Sequence, residues 1–263
     1  MKRVMYHHRL IVSYKGTNYF GWQDLGQSVD KSTIQGSIQQ VLNKICKYQA
    51  CTVASASRTD AGVHAQGQVV KITIALAIES EKLLLGMNSL LPDDIRVLQC
   101  KPCTTSFNPN KDSKSKEYHY YFCTDTVYNP IFNDIITHIP SDNKMGLLDI
   151  ELMQEACNLF IGEHDFYSFA KRDTKMESTV RIIISCEIMQ AEFSIFGNNI
   201  YYLKVVGEGF LRHMVRYIAG ALFALGKKQL SLSDINEALT QHKEEKVSAR
   251  AKSKGLHLIC ISY

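Results

Sequence analysis

The run Arg9-Leu-Ile-Val-Ser-Tyr14 is short and rich in apolar and β-branched side chains, and it predicts the first strand of the fold. Loop residues 16–21 follow it. Apolar side chains then recur at helical spacing behind a candidate cap at Ser32. The elements predicted next are strands at residues 51–55, 69–74 and 95–98, and a second helix that starts near Ser80 and stops at Pro92. The order of the first half is therefore β-α-β-β-α-β.

The second half of the chain repeats this order. Residues 118–123 alternate like a strand, and Asp149 can cap a helix that ends at Gly162. The other predicted elements are strands at residues 180–189, 200–206 and 256–261, a long helix over residues 214–226 and a shorter one around Ile235. This pattern is the ferredoxin-like split βαβ, which the RNA-recognition motif resembles in layout.

The sequence thus predicts an α+β protein built from two ferredoxin-like βαββαβ halves. We expect a largely antiparallel central sheet, helices packed on one side of it, and an active-site cleft between the halves. A length of 263 residues suits one or two domains. Residues 101–115 contain Pro102, Pro109 and several polar residues, so we place the halves at 1–105 and 106–263.

Composition narrows the class of protein. Hydrophobic residues make up 45% of the chain, which is enough for a sizeable core. No run approaches the roughly 18 apolar residues of a membrane span, so no membrane partner is expected. The N-terminus turns polar too early for a signal peptide, and we therefore expect a cytoplasmic location.

The net charge of +4 is modest, but the basic residues cluster along the chain. Three groups stand out: Lys111, Lys114 and Lys116; Lys171, Arg172, Lys175 and Arg181; and Lys243, Lys246, Arg250, Lys252 and Lys254. Such groups suit a phosphate backbone. They are equally compatible with ordinary solvated faces.

The eight cysteines lie mostly in apolar runs and are expected to be reduced core residues. Only Cys100-Lys-Pro-Cys103 has suggestive spacing. A zinc site would need a second ligand pair, which the sequence lacks. A redox pair would be expected to open a helix, and residues 104–109 are not helical in pattern. We therefore predict no metal site.

The candidate chemistry lies in Ser57-Arg-Thr-Asp-Ala-Gly-Val-His-Ala65, a segment without apolar periodicity between two predicted strands. Gly62 permits a tight turn there. From the residues alone, Asp60 has a simple structural alternative, because aspartate often bonds its own backbone in turns.

The string Arg58-Thr-Asp-Ala-Gly-Val-His64 resembles the signature of TruA-type tRNA pseudouridine synthases. The resemblance continues, in order, over nearly the whole chain. Other matching segments are Tyr14-Lys-Gly-Thr-Asn-Tyr-Phe-Gly-Trp-Gln23, Thr33-Ile-Gln-Gly36, Gly67-Gln-Val-Val70, Gly162-Glu-His-Asp-Phe166, Phe210-Leu-Arg-His-Met-Val-Arg216 and Gly255-Leu256. Such extended similarity is far more specific than the short signature alone.

The resemblance implies a reaction and a catalytic residue. Pseudouridine synthases break the N1–C1′ bond of uridine, turn the uracil over and join C5 to C1′. Asp60 matches the family's catalytic aspartate, which must be ionised. Whether it adds to the base, attacks C1′ or removes a proton stays open. The resemblance nominates Arg216 as the cation that keeps Asp60 ionised, and a phosphate contact is the alternative role.

The remaining site residues also come from the resemblance. Tyr118 would stack on the flipped uracil and assist removal of the C5 proton, although Tyr120 and Phe122 on the same face make a core role a serious alternative. Leu256 would wall the pocket or simply belong to the core. Arg58 would replace the nucleotide that left the stack, or hold its phosphate.

The family's usual substrate is the anticodon stem-loop of tRNA at positions 38 to 40. The resemblance implies this partner, a homodimer, and no metal or organic cofactor. One departure concerns a family arginine before Tyr118, where this chain has Asn110, so no RNA contact is transferred to that position.

Two other functions compete with this one. A non-catalytic RNA chaperone on the same fold would not need Asp60, Tyr118 and Arg216 together. A metabolic enzyme on this fold would need a cofactor loop, and neither GxGxxG nor GxxxxGK is present.

Overall fold

The chain divides into two compact units, one formed by Met1–Lys114 with Leu258–Tyr263 and the other by Ser115–His257. The computed structural model describes residues 4–24, 26, 32–140, 148–171, 178–191, 199–242 and 245–263. Both units combine an antiparallel sheet with helices, and each is described by itself below.

The first unit has the predicted β-α-β-β-α-β order. Its elements are β1 (Tyr6–Tyr14), α1 (Ile34–Ile45), β2 (Cys51–Ser55), β3 (His64–Ile74), α2 (Ser80–Leu90) and β4 (Ile95–Pro102). The strands lie in the order β4-β1-β3, and β2 also pairs with β3; all these pairs are antiparallel. The last strand of the chain, β10 (Leu256–Ser262), follows β3 in the sheet order.

Alternation in β1 sends Leu10, Val12 and Tyr14 into the core. Both helices of this unit bury their apolar side chains against that face, with α1 packed against β2 and α2 against β4. The predicted cap at Ser32 was wrong by one residue. Thr33 precedes α1, and its hydroxyl accepts a hydrogen bond from the Gly36 amide at 3.1 Å.

In the second unit the strands and helices predicted for residues 118–239 are present, together with two additional short strands. Its elements are β5 (Ser115–Cys123), β6 (Thr137–His138), α3 (Ile150–Cys157), β7 (Gly162–Asp165), β8 (Val180–Gln190), β9 (Ile200–Gly207), α4 (Met214–Gly226) and α5 (Leu232–Thr240). Strands β5, β9, β8 and β7 form an antiparallel sheet, whereas β6 pairs in parallel with β5. The two additional strands, β6 and β7, are too short and polar to give a periodic pattern.

Packing in the second unit places α4 against one face of β5. The Phe223 ring of α4 lies 5.7 Å from the Tyr120 ring and 5.0 Å from the Phe122 ring, centroid to centroid. Asp149 caps α3 as predicted, accepting from the Leu152 amide at 3.0 Å. The α+β prediction, with mostly antiparallel sheets and helices on one side, is confirmed.

The Cys100–Cys103 pair is not arranged for a disulfide. Cys100 lies in β4, and the Cys103 amide continues the pairing by donating to the His7 carbonyl at 3.0 Å. Three residues of extended chain span about 10 Å, beyond the usual Cα separation of a disulfide. Among the described residues, no three His, Cys, Asp or Glu side chains are grouped to hold a metal ion.

The five α-helices that the structure describes have 13 residues or fewer. None of them, in the described part of the chain, is long and apolar enough to cross a membrane.

Candidate active site

The loop that carries Asp60 joins β2 to β3 and is fixed where it starts. The Gln68 side chain, which is fully buried in β3, donates to the Ser57 carbonyl at 2.7 Å and accepts from the Ser57 amide at 3.2 Å. The Ala56 amide donates to the Val69 carbonyl at 2.9 Å. These bonds extend the strand pairing through a side chain and set the direction in which the loop leaves the sheet.

Asp60 itself opens a tight turn. The Val63 amide donates to the Asp60 carbonyl at 3.2 Å, and Gly62 has a positive φ of 75°. A positive φ at the third residue of such a turn is easily adopted only by glycine. The turn fixes the main chain of Asp60, and Asp60 is half-buried.

A neighbouring segment braces this turn through the backbone. The Gly62 amide donates to the Tyr19 carbonyl at 3.2 Å, and the Trp22 amide donates to the Thr59 carbonyl at 3.0 Å. Between them lies Gly21, with a φ of 96°, where an added Cβ would be 2.7 Å from the Thr59 carbonyl oxygen and 3.0 Å from the Asp60 carbonyl carbon. Only glycine allows such a close approach.

The side chains beside Asp60 differ in exposure. Thr59 is buried, and its hydroxyl is 2.8 Å from the Tyr14 hydroxyl. Arg58 is exposed, and within the described residues no hydrogen bond or ion pair of its side chain is found. The loop therefore has a backbone fixed by hydrogen bonds and an arginine whose side chain is exposed.

In the second unit, Tyr118 lies on β5 on the same face as Tyr120 and Phe122. Its ring meets the Phe210 ring edge-on, with centroids 5.2 Å apart, and it is 6% exposed. Tyr120 differs from it in chemistry. The Tyr120 hydroxyl donates to the Lys252 carbonyl at 2.8 Å, and burial raises the Tyr120 pKa to about 12. Tyr120 is therefore a structural residue.

Arg216 lies in the first turn of α4 and is buried. Its Nε donates to the Ala251 carbonyl at 2.8 Å, while the Ala251 amide donates to the Arg216 carbonyl at 3.1 Å. A cation at a helix N-terminus opposes the helix dipole, so this position costs stability unless an anion compensates. The two hydrogen bonds with Ala251 hold this buried cation at the start of α4.

Leu256 is the first residue of β10 and is 7% exposed. The preceding Gly255 packs closely on β5, where an added Cβ would be 2.7 Å from the Tyr121 carbonyl and 2.8 Å from the Tyr120 ring. The segment 251–256 thus ties Arg216 and Leu256 to one side of the second unit, whereas Arg58 and Asp60 belong to the first unit.

The basic groups have unequal surroundings. Lys111 and Lys114 are exposed, but Lys116 is buried, and burial lowers its pKa. It is therefore not part of a solvent-facing group with the other two. The described members of the other two groups are exposed or half-buried: Lys171, Arg181, Lys246, Arg250, Lys252 and Lys254. Arg172, Lys175 and Lys243 lie outside the described residues.

Comparison with known proteins identifies the family. A family model described as tRNA pseudouridine synthase matches residues 10–109 and 156–263, which is most of the chain. The chain belongs to the tRNA pseudouridine synthase family. The family match confirms the predicted resemblance, and it makes the protein an isomerase.

Relatives match this synthase along its whole length. It is 50% identical to tRNA pseudouridine synthase A 2 of Desulfotalea psychrophila over 262 residues, covering 98% of each chain. It is 36% identical to tRNA pseudouridine synthase A of Pseudothermotoga lettingae over 263 residues, covering 100% of each. It is 33% identical to the enzyme of the same name from Thermodesulfovibrio yellowstonii over 261 residues, covering 97% of this chain and 98% of that one.

Sequence reasoning did not single out the residues that fix the loop of this synthase. Gln68 is the clearest of them, because it holds both polar backbone groups of Ser57. A signal was present, since residue 68 is in phase with the inward-facing Val70, Ile72 and Ile74. A polar residue at an inward position of a strand predicts a buried hydrogen bond.

Proposed function

We propose that this synthase isomerises uridine to pseudouridine in the anticodon stem-loop of tRNA, at positions 38 to 40, with Asp60 as the catalytic residue. One observation carries the proposal. Asp60 opens a turn whose backbone is held on both sides, by Tyr19 and Trp22, while the residue itself is only partly buried. A fixed backbone with an accessible side chain is what a catalytic group requires.

The reaction balances within the substrate. The N1–C1′ bond breaks, the C5–C1′ bond forms, the proton on C5 leaves and N1 gains one. Uracil leaves as a stabilised anion, so a single ionised carboxylate suffices, in contrast to the two carboxylates of most glycosidases. We therefore propose no metal or organic cofactor. In this proposal residues 1–105 supply Asp60, and residues 106–263 complete the site.

The other site residues receive roles by the same proposal. Arg216 keeps Asp60 ionised through its positive charge. Tyr118 stacks on the uracil and assists removal of the C5 proton. Leu256 forms an apolar wall of the pocket, and Arg58 takes the place of the nucleotide that leaves the stack or holds its phosphate.

The test uses tRNA transcript tritiated at C5 of uracil, because isomerisation releases that tritium to water. The native protein is expected to release the tritium, whereas the Asp60→Asn variant is expected to release none. Both proteins should bind tRNA. Asp93→Asn is the matched control, because Asp93 is an exposed aspartate of the same unit that forms a surface ion pair with Arg96. Release by Asp60→Asn at the native rate would refute the assigned role.

A non-catalytic RNA chaperone on this fold is the alternative. It would bind tRNA and release no tritium from any transcript in a mixed pool.

For either function, the binding of tRNA should weaken steeply with salt, because phosphate contacts release counterions. A flat salt response would contradict an RNA substrate altogether.

We further propose that the enzyme acts as a homodimer in the cytoplasm, where its substrate would be. The family resemblance supports this assembly. Light scattering coupled to size-exclusion chromatography should give twice the chain mass of 29.8 kDa. A monomer mass at assay concentrations would contradict the dimer and leave the catalytic proposal standing.

A further inference from the structure

Phe20 is a large apolar side chain that this fold leaves 57% exposed. Its neighbours Tyr19 and Trp22 are buried at 7% and 2% exposure. A single exposed apolar residue is common on protein surfaces. The position of Phe20 in the first unit, directly beside the catalytic loop, is what makes it informative.

The backbone around Phe20 is fixed against the Asp60 turn. The Tyr19 carbonyl accepts from the Gly62 amide at 3.2 Å, and the Trp22 amide donates to the Thr59 carbonyl at 3.0 Å. Phe20 lies between these two bonds. Its own amide donates to the Ser32 carbonyl at 3.0 Å, so its main chain is anchored as well.

The close approach at Gly21 shows how near the main chain around Phe20 lies to the main chain of residues 59–61. An added Cβ at Gly21 would be within 3.1 Å of three main-chain atoms of residues 59–61. The Phe20 ring therefore projects from a segment in van der Waals contact with the residues that hold Asp60. The position of the Phe20 main chain relative to the Asp60 turn is set by these hydrogen bonds.

An enzyme that acts on a base must take it out of the helical stack, which exposes the faces of the neighbouring bases. Aromatic side chains replace such lost stacking in RNA-binding proteins. We propose that Phe20 stacks on a base adjacent to the uridine on which Asp60 acts. This inference rests on the proposed function, and it adds a substrate-binding residue in the first unit.

The first experiment measures tritium release at limiting substrate for variants of Phe20. Phe20→Ala is expected to lower kcat/KM by about 5- to 150-fold, the range for loss of one base–aromatic stack. Phe20→Tyr and Phe20→Trp should retain most of the activity because they keep a ring, whereas Phe20→Leu should resemble Phe20→Ala. Tyr48→Ala is the control, since Tyr48 is 80% exposed and follows the end of α1 that is opposite to Ile34, whose amide donates to the Gly21 carbonyl.

A second experiment separates stacking from structural support. Phe20→Trp adds an exposed indole to a chain with a single, buried tryptophan, Trp22. Binding of tRNA should quench its fluorescence, and Tyr48→Trp should show no such change. Two tRNA transcripts, each lacking one of the bases beside the target uridine, identify the stacked base. One of them should give no quenching, and with that transcript Phe20→Ala should have the same kcat/KM as the native protein.

These outcomes distinguish the inference from the proposed function. If the native protein releases no tritium, the proposed function fails. If the native protein is active, the inference is overturned when Phe20→Ala matches it in kcat/KM, or when Phe20→Leu is as active as Phe20→Trp. Quenching that survives removal of both neighbouring bases would also overturn it.

Discussion

The residues proposed for catalysis are held in two different ways. In the first unit, Asp60 and Arg58 lie on a loop whose main chain is fixed by neighbouring backbone and by Gln68, while their side chains stay half-buried or exposed. In the second unit, Tyr118 and Arg216 lie on a strand and a helix, and their side chains are buried.

The difference predicts how each set responds to substitution. A loop residue held through its backbone contributes little to the core, so its side chain can be changed without unfolding the unit. A buried residue contributes to packing and hydrogen bonding in addition to any chemistry. Measurements of stability beside activity should therefore be made for both units.

The largest expected effect is that of Asp60→Asn on the rate. We expect a loss of about 10³-fold or more, because the reacting carboxylate is removed. The free energy of unfolding should fall by about 1–3 kcal/mol, because in the proposed pairing the substitution leaves the buried Arg216 cation without its compensating anion. Urea unfolding checks this, and an unchanged free energy of unfolding would contradict a charge pairing between Arg216 and Asp60.

This contrast also explains what the sequence could predict. The helices and long strands follow from apolar periodicity, and the loop around Asp60 was singled out through its resemblance to the family. Strand β3 begins at His64, whereas the prediction began it at residue 69. The prediction missed the start of the strand because Gln66, Gly67 and Gln68 do not give a strand pattern. Gly67 is needed where an added Cβ would be 2.3 Å from the Ile259 carbonyl oxygen.

Tertiary contacts of this kind leave no local pattern. The same applies to Gly21, whose role depends on residues 59–61 across the chain.

Lys116 is a residue whose sequence neighbours suggested the wrong exposure. Its position in a run of lysines suggested a solvated cation, and its burial follows from the inward phase it shares with Tyr118 on β5. Strand phase is a better guide to exposure than charge when the two disagree.

The second prediction concerns Arg216→Leu. Activity should fall by about 10²-fold or more if its charge keeps Asp60 ionised. Stability should fall too, by about 1–3 kcal/mol, because the Ala251 carbonyl loses the Nε donor that lies 2.8 Å away. Arg212→Leu is the matched control, since Arg212 is exposed nearby and should leave the free energy of unfolding nearly unchanged. An unchanged free energy of unfolding for Arg216→Leu would contradict the view that the buried site residues of the second unit also support its fold.

The third prediction tests whether the loop depends on its backbone supports. Gln68→Leu keeps the size of a fully buried side chain but removes both hydrogen bonds to Ser57. We expect a loss of about 1–3 kcal/mol of stability and a lower kcat, because the Asp60 turn is no longer directed. Gln66→Leu, at an exposed position of the same strand, should change neither quantity appreciably. Native kcat in Gln68→Leu would show that the turn is fixed without it.

The smallest effect is a pH dependence of stability, and it arises from one histidine in each unit. Burial lowers the pKa of His8 below its usual 6.5, and burial also lowers that of His119 despite the Glu117 carboxylate at 2.7 Å. The folded state therefore holds these imidazoles neutral below pH 6.5, where the unfolded chain takes up protons.

Stability should consequently fall as the pH drops through 6.5, by at most about 1.4 kcal/mol per pH unit for each group. His8→Asn keeps a polar atom near the Ser80 hydroxyl, which lies 3.2 Å from Nδ1, and should flatten the pH dependence of the first unit's unfolding. His119→Gln should do the same for the second unit. Urea unfolding between pH 5 and 8 measures both slopes. If neither substitution reduces the slope, protonation of other groups governs acid stability.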